Sequence, residues 1–340
     1  MKIDIMYTKM KGVIAKNPGS AEQLTYTEMP KPQLTADDLL IEVHAAAVNR
    51  TDILNREGKM GYVENPIIGV EVAGVVVDAN QHADFQIGDR VMGLVNGGAY
   101  AEYVALPEDR AMRIPQQVTF EQATAIPEVF LTAYQTMYWI GHLAEHETIL
   151  IHAGASGVGT AAIQLAKQFS QATVIATAGS ERKLDFCREL GADVTINYKE
   201  QAFDEEVLQA TDDQGADVIL DFVGASYWEK NLASITTDGR WVVIGVLGGS
   251  TVKHVNLMQL MMKRVQVTGT LLTPRSDAYK AALSKEFMEQ VGPFIEAAQI
   301  HPIIDTVFPI EEVQQAHEHM EANQNIGKIV LRVKGDGTDE

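Results

Sequence analysis

A chain of 340 residues, 46% hydrophobic and 21% charged, is long enough for two domains with separate cores and too apolar to be disordered. Its formal net charge of −19 disfavours nucleic-acid backbones and anionic membranes as main partners, while leaving room for a local basic pocket. One cysteine, Cys187, excludes an internal disulfide framework and a cysteine-rich metal site.

In chain order, residues 1–125 read as short strands between turns. Strand signals fall at 12–15, 39–46, 67–77, 90–94 and 100–105, with turn signals at Asn17-Pro18-Gly19, Asn65-Pro66, Ile87-Gly88-Asp89 and Gly97-Gly98. This predicts a mostly β domain. A helical segment over 120–140 leads into alternation: strands at 148–153, 173–177, 193–196, 217–222, 241–246 and 265–271, with helices at 157–169, 180–190 and 226–235. Such alternation implies an α/β, doubly wound parallel sheet with helices on both faces. A helix over 279–298 follows, and signals at 306–308, 311–322 and 328–333 return to the first domain. The expected division is therefore 1–125 with 299–340, and 126–298 inserted as a cofactor domain, with a cleft between them. The N-terminus has no apolar leader core and no run reaches the length of a membrane span, so a cytoplasmic protein is expected.

The chemistry concentrates between Thr148 and Ala162. A strand signal, a glycine-rich turn and a helical repeat follow one another there, and Gly157, Gly159 and Ala162 fit the spacing G-x-G-x-x-G/A. In that pattern the first glycine makes the turn, the second lets backbone approach a pyrophosphate, and the third small residue lets helix pack on strand. The helix N-terminus adds free N–H groups and a positive dipole. Glycine-rich turns without a nucleotide share this spacing, so the next strand carries the argument. About 20 residues after the first glycine, where an NAD site holds an acid for the ribose 2′-hydroxyl, stand Ala178, Gly179 and Ser180, then Arg182 and Lys183. Small residues leave room for a 2′-phosphate, Ser180 can donate to it and the cations can neutralise it, which favours NADPH over NADH. Glu181 reads as an exposed first-turn acid; pointing inward it would repel that phosphate. Cys187 falls in the apolar register of the same helix and reads as a buried thiol.

The order of domains, the run Val48-Asn49-Arg50-Thr51-Asp52, the turn His152 to Gly159 and the closing Asn325-Ile326-Gly327-Lys328-Ile329-Val330-Leu331 resemble the zinc-independent, zeta-crystallin-like quinone oxidoreductases of the medium-chain dehydrogenase/reductases. The runs from Asp221 to Asn231 and from Asp238 to Trp241 resemble most the tumour-suppressor-induced members of that branch. The resemblance implies a GroES-like mostly β catalytic domain and a Rossmann cofactor domain. Zinc-dependent members carry Cys-His where this chain has Asn49-Arg50 and His-Glu where it has Val70-Glu71. Their cysteine-rich lobe corresponds to 93–103, which has no cysteine, so no metal is expected. Without a Lewis acid, acceptors that spread negative charge over a conjugated system suit the site best.

The resemblance further implies NADPH-dependent reduction of quinones by hydride or single electrons. It implies Ser156, Gly157, Val158 and Gly159 under the phosphates, Gly179 and Lys183 at the 2′-phosphate, and Tyr198 beside them, unless Tyr198 is merely a wet strand-end aromatic. Gly245, Val246, Leu247, Thr270, Leu271, Leu272 and Asn325 would line the nicotinamide side, although Asn325 reads equally as a turn residue. Asn49 and Asp52 are expected to face the cleft as catalytic residues, and Arg50 to be a surface or ion-pairing residue. Relatives carry a tyrosine where this chain has Met60, so Tyr62 is the candidate replacement hydroxyl. Phe130 and Tyr134 read as core, and His317 and His319 as solvated helix residues. Two alternatives stay open: an enone or acrylate-type double-bond reductase with a firmer proton donor, and a non-catalytic NADPH-sensing protein. A homodimer or homotetramer paired through the strand near 265–271 is the expected assembly.

Overall fold

Proline and buried apolar runs divide the chain into its elements, which the computed structural model describes for residues 9–59, 65–79 and 84–334. The chain forms two units, Met1–Leu131 with Leu272–Glu340, and Thr132–Leu271. The first begins with β1 (Lys9–Ala15) and β2 (Leu24–Pro30), paired antiparallel. Then come β3 (Asp38–Val48), α1 (Arg50–Arg56), β4 (Glu71–Asp78), β5 (Arg90–Leu94), β6 (Tyr103–Pro107), β7 (Ala111–Arg113), α2 (Phe120–Thr124) and α3 (Pro127–Tyr134). The expected single helix over 120–140 is divided because Pro127 has no N–H to continue α2 and instead starts α3, which runs on as a π-helical segment, Gln135–Ile140.

The second unit carries β8 (Thr148–Ile151), α4 (Gly157–Leu165), β9 (Thr173–Ala178), α5 (Glu181–Glu189), β10 (Val194–Asn197), α6 (Phe203–Ala210), β11 (Ala216–Asp221), α7 (Trp228–Ser234), β12 (Ile235–Val243), α8 (Leu257–Lys263) and β13 (Gln266–Gly269). Its six-stranded sheet has the order β10-β9-β8-β11-β12-β13, every neighbouring pair parallel. The strand order reverses between β8 and β11, the point at which doubly wound sheets open a ligand crevice at the strand C-termini. Leu150, Ile175, Ile219 and Trp241 fill one of its cores.

The first unit resumes with α9 (Asp277–Gln290), α10 (Gly292–Glu296), β14 (Ile304–Pro309), α11 (Val313–Glu321) and β15 (Lys328–Arg332). Its seven-stranded sheet runs β14-β15-β3-β4-β5-β7, with β6 also paired to β3. Leu39, Ile41, Val72, Val91, Leu106 and Leu331 pack in its core. The parallel sheet and the GroES-like β unit are thus the fold expected from the sequence, but the boundary at 298 is corrected. Residues 126–131 and 272–298 belong with the β unit, because α9 buries Leu283 and Phe287, sets Phe287 6.3 Å from the Phe130 ring, and places Asp277 3.3 Å from Arg110.

Five elements had no signal in the sequence: the short α1, β7 and α6, and also β2 and α8. β2 alternates partly exposed polar residues around Leu24 and Tyr26, so its apolar signal is thin. α8 exposes Leu257, Met258, Met261 and Met262, a face that belongs in no core of its own unit.

Candidate functional site

In the second unit the C-terminal ends of the parallel strands line one edge, and the expected cofactor residues other than Leu272 and Asn325 lie along it. After β8, Ala153 takes a left-handed φ of 50° and its carbonyl accepts the Ser156 N–H at 2.9 Å, which turns the chain into α4. Ser156 caps the helix, its hydroxyl accepting the Gly159 N–H at 3.1 Å. The first-turn N–H groups of Gly157 and Val158 take no acceptor among the described residues, as a phosphate-binding helix terminus requires. Gly159 is fixed by closeness: a Cβ there would lie 2.4 Å from the Ala153 carbonyl oxygen and 2.6 Å from that of Gly154. This cradle fits a dinucleotide pyrophosphate.

After β9, Gly179 allows the Tyr198 hydroxyl to approach, since a Cβ would meet it at 2.6 Å. Ser180 is exposed and begins α5 without spending its hydroxyl on a cap, and Lys183 is half-buried in the first turn. Glu181 is turned along the helix to Arg188 at 2.7 Å, which also binds Asp185. Tyr198, after β10, is 43% exposed with its ring 6.4 Å from that of Tyr227. After β12, Gly245 donates to Asp221 O at 3.2 Å and leaves Val246 and Leu247 exposed; after β13, Thr270 is buried and Leu271 exposed. Beneath this edge lies a buried network that sequence patterning missed. Asp221 accepts the N–H groups of Val223 and Gly224 at 2.7 and 2.9 Å, the Trp241 indole at 3.0 Å and the Asn231 amide at 3.1 Å, while the Asn231 oxygen faces His152 Nε2 at 2.7 Å. Cys187 is buried and its thiol is pushed up to about 12 by burial.

In the first unit a second polar site is built from long-range contacts. Asn49, at the end of β3, donates through Nδ2 to Glu71 Oε1 at 2.7 Å and accepts the Lys328 ammonium at Oδ1 at 2.6 Å. Lys328 also donates to Glu71 Oε1 and to Val48 O. The other Glu71 oxygen accepts the Glu128 N–H at 2.8 Å. Asn49, Glu71 and Lys328 are all buried, so each charge and each amide atom depends on the others.

Asp52 is fully buried rather than open. Its Oδ2 accepts the Asn49 N–H at 2.9 Å, closing the first turn of α1, and the Tyr100 hydroxyl at 3.0 Å. Burial raises its pKa to about 7, against the lowering effect of those two bonds. The expectation was that Asp52 faces the cleft as a catalytic residue; in the fold it is a buried prop for Asn49. His317 is likewise not solvated: α11 buries it between Arg56 Nη1, at 3.3 Å, and the Tyr100 hydroxyl, at 3.4 Å, and burial holds its pKa down to about 3. His319 pairs with Asp305 at 2.8 Å. Arg50 reaches Asn323 at 3.1 Å, Asn325 donates to Gly327 O at 2.8 Å as a turn residue, and Leu272 is buried in the first unit. Tyr62 and Met60 lie outside the described residues.

Glu128 was missed altogether. The only hint in the sequence is an acid placed inside the apolar run Ala125-Ile126-Pro127-Glu128-Val129-Phe130. Among the described residues no group of three or more His, Cys, Asp or Glu is placed to hold a metal ion, and no helix is long and apolar enough to cross a membrane.

Residues 157–287 match the family model described as zinc-binding dehydrogenase, and residues 35–116 match the alcohol dehydrogenase GroES-like domain. The chloroplastic NADPH-dependent alkenal/one oxidoreductase of Arabidopsis thaliana is 28% identical over 339 residues, spanning 95% of this chain and 79% of its own length. A highly-reducing polyketide synthase of Aureobasidium melanogenum is 31% identical over 329 residues, and there the chain spans only 15% of the larger protein. The quinone oxidoreductase of Pseudomonas syringae pv. Tomato superposes with a TM-score of 0.86 at 28% identity, over 95% of this chain and 100% of that one. A mycobacterial protein complexed with NADPH superposes with a TM-score of 0.85 at 28% identity, over the same shares.

Proposed function

We propose, for a chain that belongs to the medium-chain dehydrogenase/reductase superfamily of oxidoreductases, that it is an NADPH-dependent, zinc-independent reductase of quinones. The observation that carries the cofactor half is the edge after β9, where small residues, the uncommitted Ser180 hydroxyl and Lys183 stand in place of a ribose-binding acid and Glu181 is drawn away to Arg188. The mycobacterial neighbour complexed with NADPH supports it. A bound nicotinamide supplies a hydride; the protein orients the rings and keeps water out.

The acceptor half rests on the Asn49, Glu71 and Lys328 cluster. Lys328 neutralises Glu71, and Asn49 offers an amide fixed at both ends instead of a ligating thiolate. Both Asn49 amide N–H groups are spent on Glu71 and the Ala47 carbonyl, and the Lys328 ammonium on Glu71, Asn49 Oδ1 and the Val48 carbonyl, so the cluster offers a fixed, charge-balanced wall rather than a free donor or a Lewis acid, which suits conjugated acceptors. Asn49 is the residue assigned to the acceptor, and Asp52 positions it. Reduction of an enone double bond is the second reading, favoured by the plant alkenal/one oxidoreductase and by the acid Glu128 beside the cluster.

Initial rates of NADPH oxidation with 1,2- and 1,4-naphthoquinone, run beside NADH and a chelator, test this. Chelator-resistant turnover preferring NADPH supports the quinone reading, hydroquinone or saturated carbonyl as product separates the two acceptors, and NADPH binding without turnover selects the sensing protein. The edge strand β13 and the apolar face of α8, with Val267, Met258, Met261 and Met262 exposed, are the surface we assign to a homodimer. A purely monomeric mass by light scattering overturns that assignment.

A further inference from the structure

We propose that Glu128 is the general acid of the reduction, giving a proton to the acceptor after hydride addition; this rests on the reductase reading above. Among the described residues of the first unit, four other groups could be asked for that proton, and their contacts disqualify them. Asp52 is fully buried, with Oδ2 taken by the Asn49 N–H and the Tyr100 hydroxyl. Glu71 is buried and both its oxygens accept bonds from Asn49, Lys328 and the Glu128 backbone. Tyr100 is buried and commits its hydroxyl to Asp52, and His317 is buried and held neutral.

Glu128 differs on each count. Its backbone N–H is pinned to Glu71 Oε2 at 2.8 Å, which fixes it beside Asn49, while its side chain is only half-buried. Its carboxyl oxygens take no hydrogen-bond partner among the described residues. The charged groups that face it are Glu71 on β4, Asp52 on α1, Lys328 on β15 and Lys280 on α9. Burial first and the Glu71 charge second raise its pKa to about 8, with Lys328 opposing, so the carboxyl keeps its proton at neutral pH.

The step balances. Hydride addition leaves the electron pair on the acceptor as an enolate or hydroquinone anion. The Glu128 O–H bond breaks, its proton joins that anion, and the bonding pair stays as carboxylate. Water then returns the proton to Glu128.

The test combines a titration with kinetics. Carboxyl infrared difference spectra of the unliganded protein, wild type against Glu128→Gln, are expected to show one protonated carboxyl that titrates near pH 8 and is lost in the variant. With NADPH and pent-3-en-2-one or 1,2-naphthoquinone, wild-type kcat is expected to fall above pH 8. Glu128→Gln is expected to lower kcat about 100-fold and remove that basic limb, with NADPH affinity unchanged and partial rescue by Glu128→Asp. Wild-type turnover matched by Glu128→Gln, with the same pH profile, overturns the proposal alone. Absence of wild-type turnover with both acceptors overturns the reductase reading and takes this proposal with it.

Discussion

The edge after β8 and β9 and the cluster around Asn49 are both polar, yet they are built in opposite ways. The first uses backbone N–H groups and the absence of side chains, and its parts lie within one short stretch from Ala153 to Gly159. The second uses buried ions on β4 and β15 that are 257 positions apart, tied through Asn49 and the start of α3. A backbone site fails when a carbon atom is added. A buried side-chain site fails when a charge is removed. That contrast ranks the expected damage.

Removing the cation does the most. Lys328→Met leaves Glu71 buried with its charge uncompensated, and unfolding in urea is expected to cost about 3–5 kcal/mol less than for wild type. Adding Glu71→Gln removes the stranded charge, so the double variant is expected to recover most of that loss. A double variant no more stable than Lys328→Met would mean that the ammonium acts through something other than Glu71, and the contrast between the two sites would lose its basis.

Adding a methyl group comes next. Gly159→Ala sets a Cβ against two backbone carbonyls that cannot rotate away, so α4 must shift. The expected loss is about 1–3 kcal/mol of stability, together with NADPH binding, read by nucleotide fluorescence. Val158→Ala is the control: it shortens a half-buried side chain and keeps the N–H, so binding is expected to hold within about threefold of wild type, an allowance of roughly 0.6 kcal/mol.

The same contrast explains what could be read from the chain alone. Gly157, Gly159, Gly179 and Ser180 could be singled out because spacing and residue size are written in consecutive positions. The parallel sheet was legible for a similar reason, since each strand and helix carries its own period. The Asn49 cluster was only partly visible. Asn49 and Lys328 stood in recognisable motifs, but nothing local shows that β15 pairs with the end of β3, Ile329 against Val48, and so carries Lys328 to Asn49. Asp52 was expected to face the cleft beside Asn49, and nothing local shows its burial, since the Tyr100 hydroxyl that bonds it comes from 48 positions away. Glu128 had no periodic signal at all, and α9 went to the wrong unit because a helix does not say which face of which sheet it will cover.

Smaller effects test the cofactor edge by charge rather than by volume. Lys183→Ala is expected to raise KM for NADPH about tenfold, the weight of one charge-assisted bond of about 1.5 kcal/mol, and to leave KM for NADH unchanged. An equal rise for both nucleotides would place Lys183 under the shared pyrophosphate instead of the 2′-phosphate.

The smallest effect is the most discriminating. Glu181 sits one residue from Ser180, and a carboxylate there could repel a 2′-phosphate, so its orientation decides whether the edge accepts NADPH. Its side chain is exposed and bonded to Arg188 at 2.7 Å, toward the far end of α5. Exposed pairs of this kind contribute little to stability, and Glu181→Gln is expected to unfold within about 0.5 kcal/mol of wild type. Because the charge already points away, the ratio of kcat/KM for NADPH over NADH is expected to stay within about twofold, less than roughly 0.5 kcal/mol. A tenfold rise in that ratio would show that Glu181 leaves Arg188 and turns inward in solution. The proposed preference for NADPH would then depend on where one acid rests, and the edge after β9 would share the charge sensitivity of the Asn49 cluster.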